Sequence, residues 1–348
     1  MTEESSTISH LSVAVTTNGV NVTQNTRGDA MTSSSSRDYE LYFRCALVVI
    51  GVVGAAGNAL ILYAMVASKQ HKKHPMIVNQ NALDFFCSIL LLVSNAVKLC
   101  NIRLTGSHGY WLCMTIHNET FIAYGMYGSR INIAAITVER YLKVVHPVWS
   151  KNKLRSWMLY SVMAFCWLIG IVVFPPVAMK TLALKNGVCY YIASKKMRTA
   201  VMIWYMLSFY VIIFAIFIFC YGRILGAIRR QARVMAAHSA ASESGISQAR
   251  STQIQTNVIK TMILVSALYV ICHLPQAVLY MYIIAGPNSS MQNNYVADVA
   301  DTSRLIQFLY IITNPFIYGT KFHPVKKILK NTISTCMPCN LTMPHAGA

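Results

Sequence analysis

Seven apolar blocks run through the chain, at about residues 42–67, 76–98, 112–144, 157–179, 200–228, 256–285 and 303–320. A helix of roughly 20 apolar residues spans the hydrocarbon core of a bilayer. Lipid offers the backbone no hydrogen bonds, so each block must satisfy its own, and a helix does so. Only 12% of the 348 residues are charged, against about 25% in soluble domains. The expected fold is an all-α membrane protein, a seven-transmembrane-helix bundle over 42–320. A Ser- and Thr-rich segment 1–41 before it is expected to be disordered, and 321–348 forms a tail. No signal peptide is visible, so insertion is expected to rely on the first helix.

The net charge of +19 does not point to nucleic acid, because the charges sit in short loops between apolar blocks. The loops 68–75, 145–156 and 229–255, the tail and the adjoining helix ends hold 18 of the 30 Lys and Arg and only two acids, Glu139 and Glu243. The opposite side holds 11 against eight acids. The basic side should be cytoplasmic, in contact with anionic lipid, which puts the N-terminus outside a plasma membrane and the C-terminus inside. Glycosylation sequons at Asn21 and Asn288 fall on the outer side. A third, at Asn118, lies too close to a helix, and a fourth, at Asn340, lies inside. The ten cysteines show no CxxC followed by a second metal-binding pair, which argues against zinc.

Several blocks carry polar residues that lipid rejects, and these should face the bundle interior. In chain order they are Gly54-Ala55-Ala56-Gly57-Asn58, Asn81-Ala82-Leu83-Asp84, Glu139-Arg140-Tyr141 followed by His146-Pro147, and Trp167 with Pro175-Pro176. Then come Tyr221, Cys272-His273-Leu274-Pro275 and Asn314-Pro315-Phe316-Ile317-Tyr318. Each motif alone is weak. One per helix, in this order, resembles the rhodopsin-like G protein-coupled receptors over roughly residues 42–332.

The resemblance implies a receptor that binds an extracellular ligand and activates heterotrimeric G proteins by outward movement of the sixth helix. Pro275 and Pro315 each remove a backbone hydrogen bond and give their helices a place to pivot. Glu139 would hold Arg140 at rest; Arg140 would then contact the G protein, with Tyr221 and Tyr318 repacking. Many relatives have an acid where this chain has Gln255, so only Glu139 is expected to restrain Arg140, and some ligand-independent signalling should follow. Cys113 and Cys189 fit the family's outer disulfide. Cys113 stands 27 residues before Arg140, two more than the family's usual spacing, which implies a bulge or an extra half-turn. Residues 323–332 read as a short amphipathic eighth helix on the inner leaflet. Cys336 and Cys339 beyond it are either palmitoylated or free.

Departures from the family narrow the ligand. Phe308 stands where opsins carry the retinal-binding Lys, so no retinal cofactor is expected. Ile122 replaces the Asp of amine receptors. Glu119, one turn above, either faces a cation or is solvated at the helix mouth. With His273, these residues mark the expected pocket. Lys180, Lys185, Lys195, Lys196 and Arg198 make the second outer loop basic, which either suits an acidic ligand or an acidic peptide segment or simply keeps the loop soluble; the family resemblance implies a peptide. In mid-membrane, Asn58, Asp84 and Ser129 keep a polar core that in relatives helps hold sodium. Arg130 is foreign to that core, and it is expected either to reach Asp84 and replace the ion or to bond Tyr269, His273 and backbone carbonyls. Light-driven pumps would need the missing Lys, a channel a polar stripe along several helices, and a membrane enzyme a catalytic motif; none is found. A receptor of the same fold with weak coupling, constitutively active or scavenging, is the milder alternative.

Overall fold

A computed structural model of the chain describes residues 29–100, 102–238, 244–285 and 294–336, with the main chain alone at 29–37, 234–238, 244–255 and 333–336 among others. Asn21, Asn288, Asn340 and Cys339 lie outside the described residues, as do the side chains of Pro175, Pro176, Gln255 and Cys336.

The order is α1 (Asp29–Ala67), α2 (Pro75–Leu99), α3 (Gly106–Leu112), a π turn (Cys113–His117), α4 (Thr120–Val145), α5 (Pro147–Lys153) and α6 (Ser156–Thr181). A hairpin of β1 (Leu182–Lys185) and β2 (Val188–Tyr191) follows. After it come α7 (Lys195–Tyr205), a second π turn (Met206–Ile212), α8 (Ile213–His238), α9 (Ser244–Ala285), α10 (Asn294–Lys321) and α11 (His323–Cys336). The seven expected blocks are α1, α2, α4, α6, the α7–α8 rod, α9 and α10. Asp38–Ala67, Pro75–Leu99, Lys195–Gln231 and Thr256–Ala285 are each long and apolar enough to cross a membrane by themselves. The helices outrun the apolar blocks: α1 starts at Asp29 and α9 at Ser244, because hydropathy marks only the part that meets lipid.

Local sequence explains several boundaries. Pro75 and Pro147 open α2 and α5 at the first turn, where the missing N–H costs nothing. Ser194 caps α7, its Oγ accepting from the Met197 N–H at 3.3 Å. The extra residues after Cys113 are taken up by the first π turn and a break at Glu119, whose φ of 59° is left-handed. The expected bulge is therefore present. In the α7–α8 rod a π turn ends at Ile212 and interrupts the helix.

The bundle is held by close backbone approach and by polar side chains, the two devices that serve inside lipid. α1 lies against α2 and α10, α2 and α6 against α4, and α9 against α10. At Gly128 an added Cβ would collide with the Cys166 carbonyl of α6, and at Gly54 it would come within 2.5 Å of Ser88 Oγ. A chain of hydrogen bonds crosses the middle. Trp167 Nε1 donates to Asn79 Oδ1 at 2.8 Å, and Asn79 Nδ2 to Asn132 Oδ1 at 2.9 Å. Asn132 Nδ2 donates to Gln80 Oε1 at 2.9 Å, and Gln80 Nε2 to both oxygens of Asp84 at 3.2 Å. Apolar clusters fill the space on either side: Met65, Ile77, Ile136, Met262 and Tyr318 toward the end expected to be inner, and Leu47, Leu91, Ile122, Met126 and Phe308 toward the end expected to be outer. Large apolar side chains such as Val49, Tyr63, Leu168, Phe214 and Met281 point away from the bundle, as lipid contact requires.

α11 is amphipathic: Val325 is buried, Ile328 and Leu329 pack against the inner cluster, and Lys326, Lys327 and Lys330 are exposed. The close approach at Gly128 yields a test. Gly128→Val should cost about 1–3 kcal/mol by overpacking and lower the thermal unfolding midpoint of the purified protein. Gly226→Ala, inside α8 where the space around an added Cβ is open, should raise that midpoint slightly, because Ala favours the helix over Gly.

Candidate functional site

Two polar regions at opposite ends of the bundle carry the residues singled out by sequence. The outer one is a cavity of about 360 Å³ between α2, α4, α7, α9 and α10. Ile122, Met126, Leu279, Ile283 and Phe308 give it apolar walls, and Cys189 of the hairpin lies over it. Cys189 is bonded to Cys113, with Cα atoms 5.7 Å apart, so the hairpin is tied to the segment leading into α4. Glu119, Ile122 and Phe308 line the cavity as expected, but His273 does not. Its ring turns inward against Tyr269 (centroids 4.3 Å) and Tyr310 (5.6 Å), and Gln276 takes the lining position.

Glu119 faces a cation supplied by the protein itself. Lys98 Nζ lies 2.6 Å from its Oε1, a protein-supplied cation in a largely buried pair. Arg304, also in the lining, pairs with Asp301 at 3.4 Å, and Arg44 just outside it pairs with Glu40. Arg130 is 4% exposed and lines the cavity as well.

Arg130 and Asp84 do not form the pair that was one of two expectations. The ion pairs among the described residues do not include them. The Arg130 guanidinium carbon sits 4.8 Å from the centroid of the Tyr205 ring, with Tyr210 and Tyr269 as electrostatic neighbours. The reason is helical geometry: Arg130 follows Ser129 by one residue, so it points about 100° around α4. Asp84 meets the other face. Ser129 Oγ donates to it at 2.8 Å and Asn314 Nδ2 at 2.6 Å, while Gln80 also donates to the Ser129 hydroxyl. Asn58 Nδ2 ties α1 in by donating to the carbonyls of Gly54 (2.9 Å) and Ile311 (3.2 Å).

At the inner end, Glu139 is buried and holds Lys143 at 2.6 Å and Arg140 at 3.4 Å. It is not Arg140's sole restraint. Arg140 Nη2 also reaches His74 Nδ1 at 3.1 Å, a partner on the loop before α2. Burial, then the Arg140 charge, lowers the His74 pKa to about 4, which keeps the ring neutral and able to accept. Tyr221 joins α8 to α4 and α9, its hydroxyl 3.0 Å from Thr137 Oγ1 and 2.7 Å from Ser266 Oγ. Tyr141 OH meets His146 Nε2 at 3.2 Å. Pro275 and Pro315 both lie inside their helices. Tyr318 is fully buried, its hydroxyl without a hydrogen-bond partner among the described residues.

Comparison with known proteins fits this arrangement. A sequence model of the family "7 transmembrane receptor (rhodopsin family)" matches residues 57–318. The chain belongs to the rhodopsin family of seven-transmembrane receptors. It is thus a multi-pass receptor of the plasma membrane and not an enzyme. It is 23% identical to a violet-sensitive opsin of Xenopus laevis over 80% of this chain and 78% of the opsin. It is 22% identical to galanin receptor type 1 of Rattus norvegicus over 87% and 85%. A melanopsin of Gadus morhua is 24% identical over 84% of this chain, which spans only 51% of that longer protein. The fold superimposes on squid rhodopsin with a TM-score of 0.67, at 16% identity, over 85% of this receptor and 86% of that chain.

Sequence reasoning missed Gln80, His74, Lys98, Arg304 and Tyr205. Gln80, one turn before Asp84, was open to detection as a second polar residue on the same face. The hairpin also had a signal, Asn186-Gly187, whose φ values of 52° and 78° suit a tight two-residue turn.

The His74 contact makes a prediction. A hydrogen bond from a charged donor contributes about 1.5–3 kcal/mol, so His74→Ala, which removes the Arg140 contact, should lower the thermal unfolding midpoint of the purified protein. Acid acts in the same direction on stability. The folded-state pKa of His74 lies below the ordinary 6.5, so the unfolded chain binds the extra proton and stability falls as pH drops from 6.5 toward 4. That acid sensitivity should be smaller in His74→Ala, as measured by thermal unfolding against pH.

Proposed function

We propose that this receptor binds an extracellular ligand in the outer cavity and signals to heterotrimeric G proteins through its inner end. The basic loops then face the cytoplasm and the N-terminus lies outside, as the charge asymmetry favours. The observation that carries the reading is the pairing of two sites by one polar core. Arg130 lines the cavity, its neighbour Ser129 binds Asp84, and Asp84 binds Asn314 beside Pro315. A ligand that shifts α4 or α9 therefore acts on the helices that hold Arg140 and Tyr221. Outward movement of the inner end of α9, pivoting at Pro275, would break the Tyr221–Ser266 contact and open space beside Arg140 for the G protein. The uncommitted Tyr318 hydroxyl gains a partner as the tyrosines repack.

Light is not the proposed stimulus, although opsins are among the relatives. Phe308 stands in the cavity wall where a retinal-binding Lys would be needed. The polar core is proposed to work without a resident sodium ion, because N–H and O–H donors from Gln80, Ser129 and Asn314 already surround Asp84. The basic outer loop favours a peptide or another acidic ligand.

Reconstitution provides the test. Vesicles carrying the purified receptor should accelerate nucleotide exchange on at least one class of heterotrimeric G protein without added ligand, and Arg140→Ala should reduce that excess at least about tenfold, the factor that 1.4 kcal/mol commands. Equal rates in empty, wild-type and Arg140→Ala vesicles for every class would contradict the reading.

A further inference from the structure

Two basic segments meet at the end of the bundle read as cytoplasmic. The first is the loop between α1 and α2, where Lys69, Lys72 and Lys73 are exposed. The second is α11, where Lys326, Lys327 and Lys330 are exposed. Packing fixes their meeting. The Phe322 ring, just before α11, lies edge-on to His74 of the loop, with centroids 5.4 Å apart. Phe322 and Val325 are buried in the cluster that holds Ile61 and Met65 of α1, and Ile328 and Leu329 pack against it. At 100° per residue, Val325, Ile328 and Leu329 share one face of α11, and the three lysines share the opposite face. Lys330 follows Lys326 by four residues and Lys327 by three, spacings at which like charges repel. Nothing nearby balances them. No Asp or Glu occurs in 41–83 or 302–348, and the ion pairs among the described residues involve none of the six lysines. The Glu139 carboxylate at this end already holds Lys143 and Arg140.

We propose that the loop and α11 together form a site for a membrane lipid with a polyphosphorylated headgroup, a phosphoinositide. This rests on the reading that puts this end at the cytoplasmic leaflet. The source is a lipid and not a free phosphate, because an amphipathic helix that follows a membrane span carries its lysines at the level of the headgroups. A headgroup with several phosphates serves both segments at once and relieves the repulsion within each. A lipid with a single net charge serves only one of them. The occupied site clamps the loop to α11, and with it His74, the partner of Arg140.

Competition on the purified full chain in a neutral detergent tests this, read by fluorescence anisotropy of a labelled phosphatidylinositol bisphosphate. Phosphatidylserine should displace the probe at least about tenfold less well than the unlabelled bisphosphate lipid. Soluble inositol trisphosphate, which has the phosphates without the acyl chains, should also be at least about tenfold weaker. Lys72→Gln with Lys73→Gln, and Lys326→Gln with Lys327→Gln, should each weaken probe binding at least about fivefold, the scale of one lysine near an anionic surface. All four side chains are exposed, so the variants should keep the wild-type thermal midpoint. Lys151→Gln with Lys153→Gln, on α5, should change binding less than about twofold. Equal displacement by phosphatidylserine or by inositol trisphosphate, a loss confined to one of the two segments, or an equal loss from the α5 pair would overturn the proposal. Neither orientation, ligand nor G protein enters the measurement, so its failure leaves the signalling reading standing.

Discussion

The structure depends on how one buried carboxylate is satisfied. Asp84 lies in the middle of a bundle built for lipid, where an uncompensated charge is costly. Its partners come from three helices: Gln80 on its own α2, Ser129 on α4 and Asn314 on α10. Through Gln80 the set extends to Asn132, Asn79 and Trp167, which brings in α6. Hydrophobic force does not assemble helices within lipid, since the solvent is as apolar as the side chains. A polar chain of this kind supplies the specificity that apolar packing lacks, and it fixes which faces of α2, α4, α6 and α10 meet.

The same constraint separates the two ends. Ser129 and Arg130 are consecutive, yet one faces the Asp84 network and the other the outer cavity. A rotation of α4 about its axis cannot move one without the other. At the inner end α4 presents Arg140, restrained by Glu139 and His74, while Tyr221 bridges α4, α8 and α9. The prolines of α9 and α10 are where those helices can yield. The arrangement has the parts of a two-state element, with discrete contacts that are either made or broken.

The bundle and its motifs were legible in the sequence because both are written in local terms: the length of an apolar block, or a polar residue at a fixed place within it. The bulge after Cys113 was legible as a spacing excess. Contacts that depend on how neighbouring helices are rotated were not. The two-residue excess hides the approach of Lys98 to Glu119, since it alters the entry of α4. His74 lies in a short basic loop and gives no sign that it reaches Arg140. Arg130 was noticed as foreign to its position, but its contact with Tyr205, which neither expectation named, depends on the azimuth of α4. His273 was placed in the pocket by analogy, whereas its ring packs inward beneath Gln276.

The central claim is that the Asp84–Asn314 contact ties α2 to α10. A reciprocal exchange tests it most directly, by thermal unfolding of the purified receptor. Asp84→Asn and Asn314→Asp should each lower the midpoint, the first by removing the buried acceptor's charge and the second by setting two acids together. The double exchange keeps one acid and one amide across the same 2.6 Å contact, and it should recover most of the loss. A double variant whose destabilisation equals the sum of the two single variants would contradict the account, because additivity is the mark of residues that do not interact.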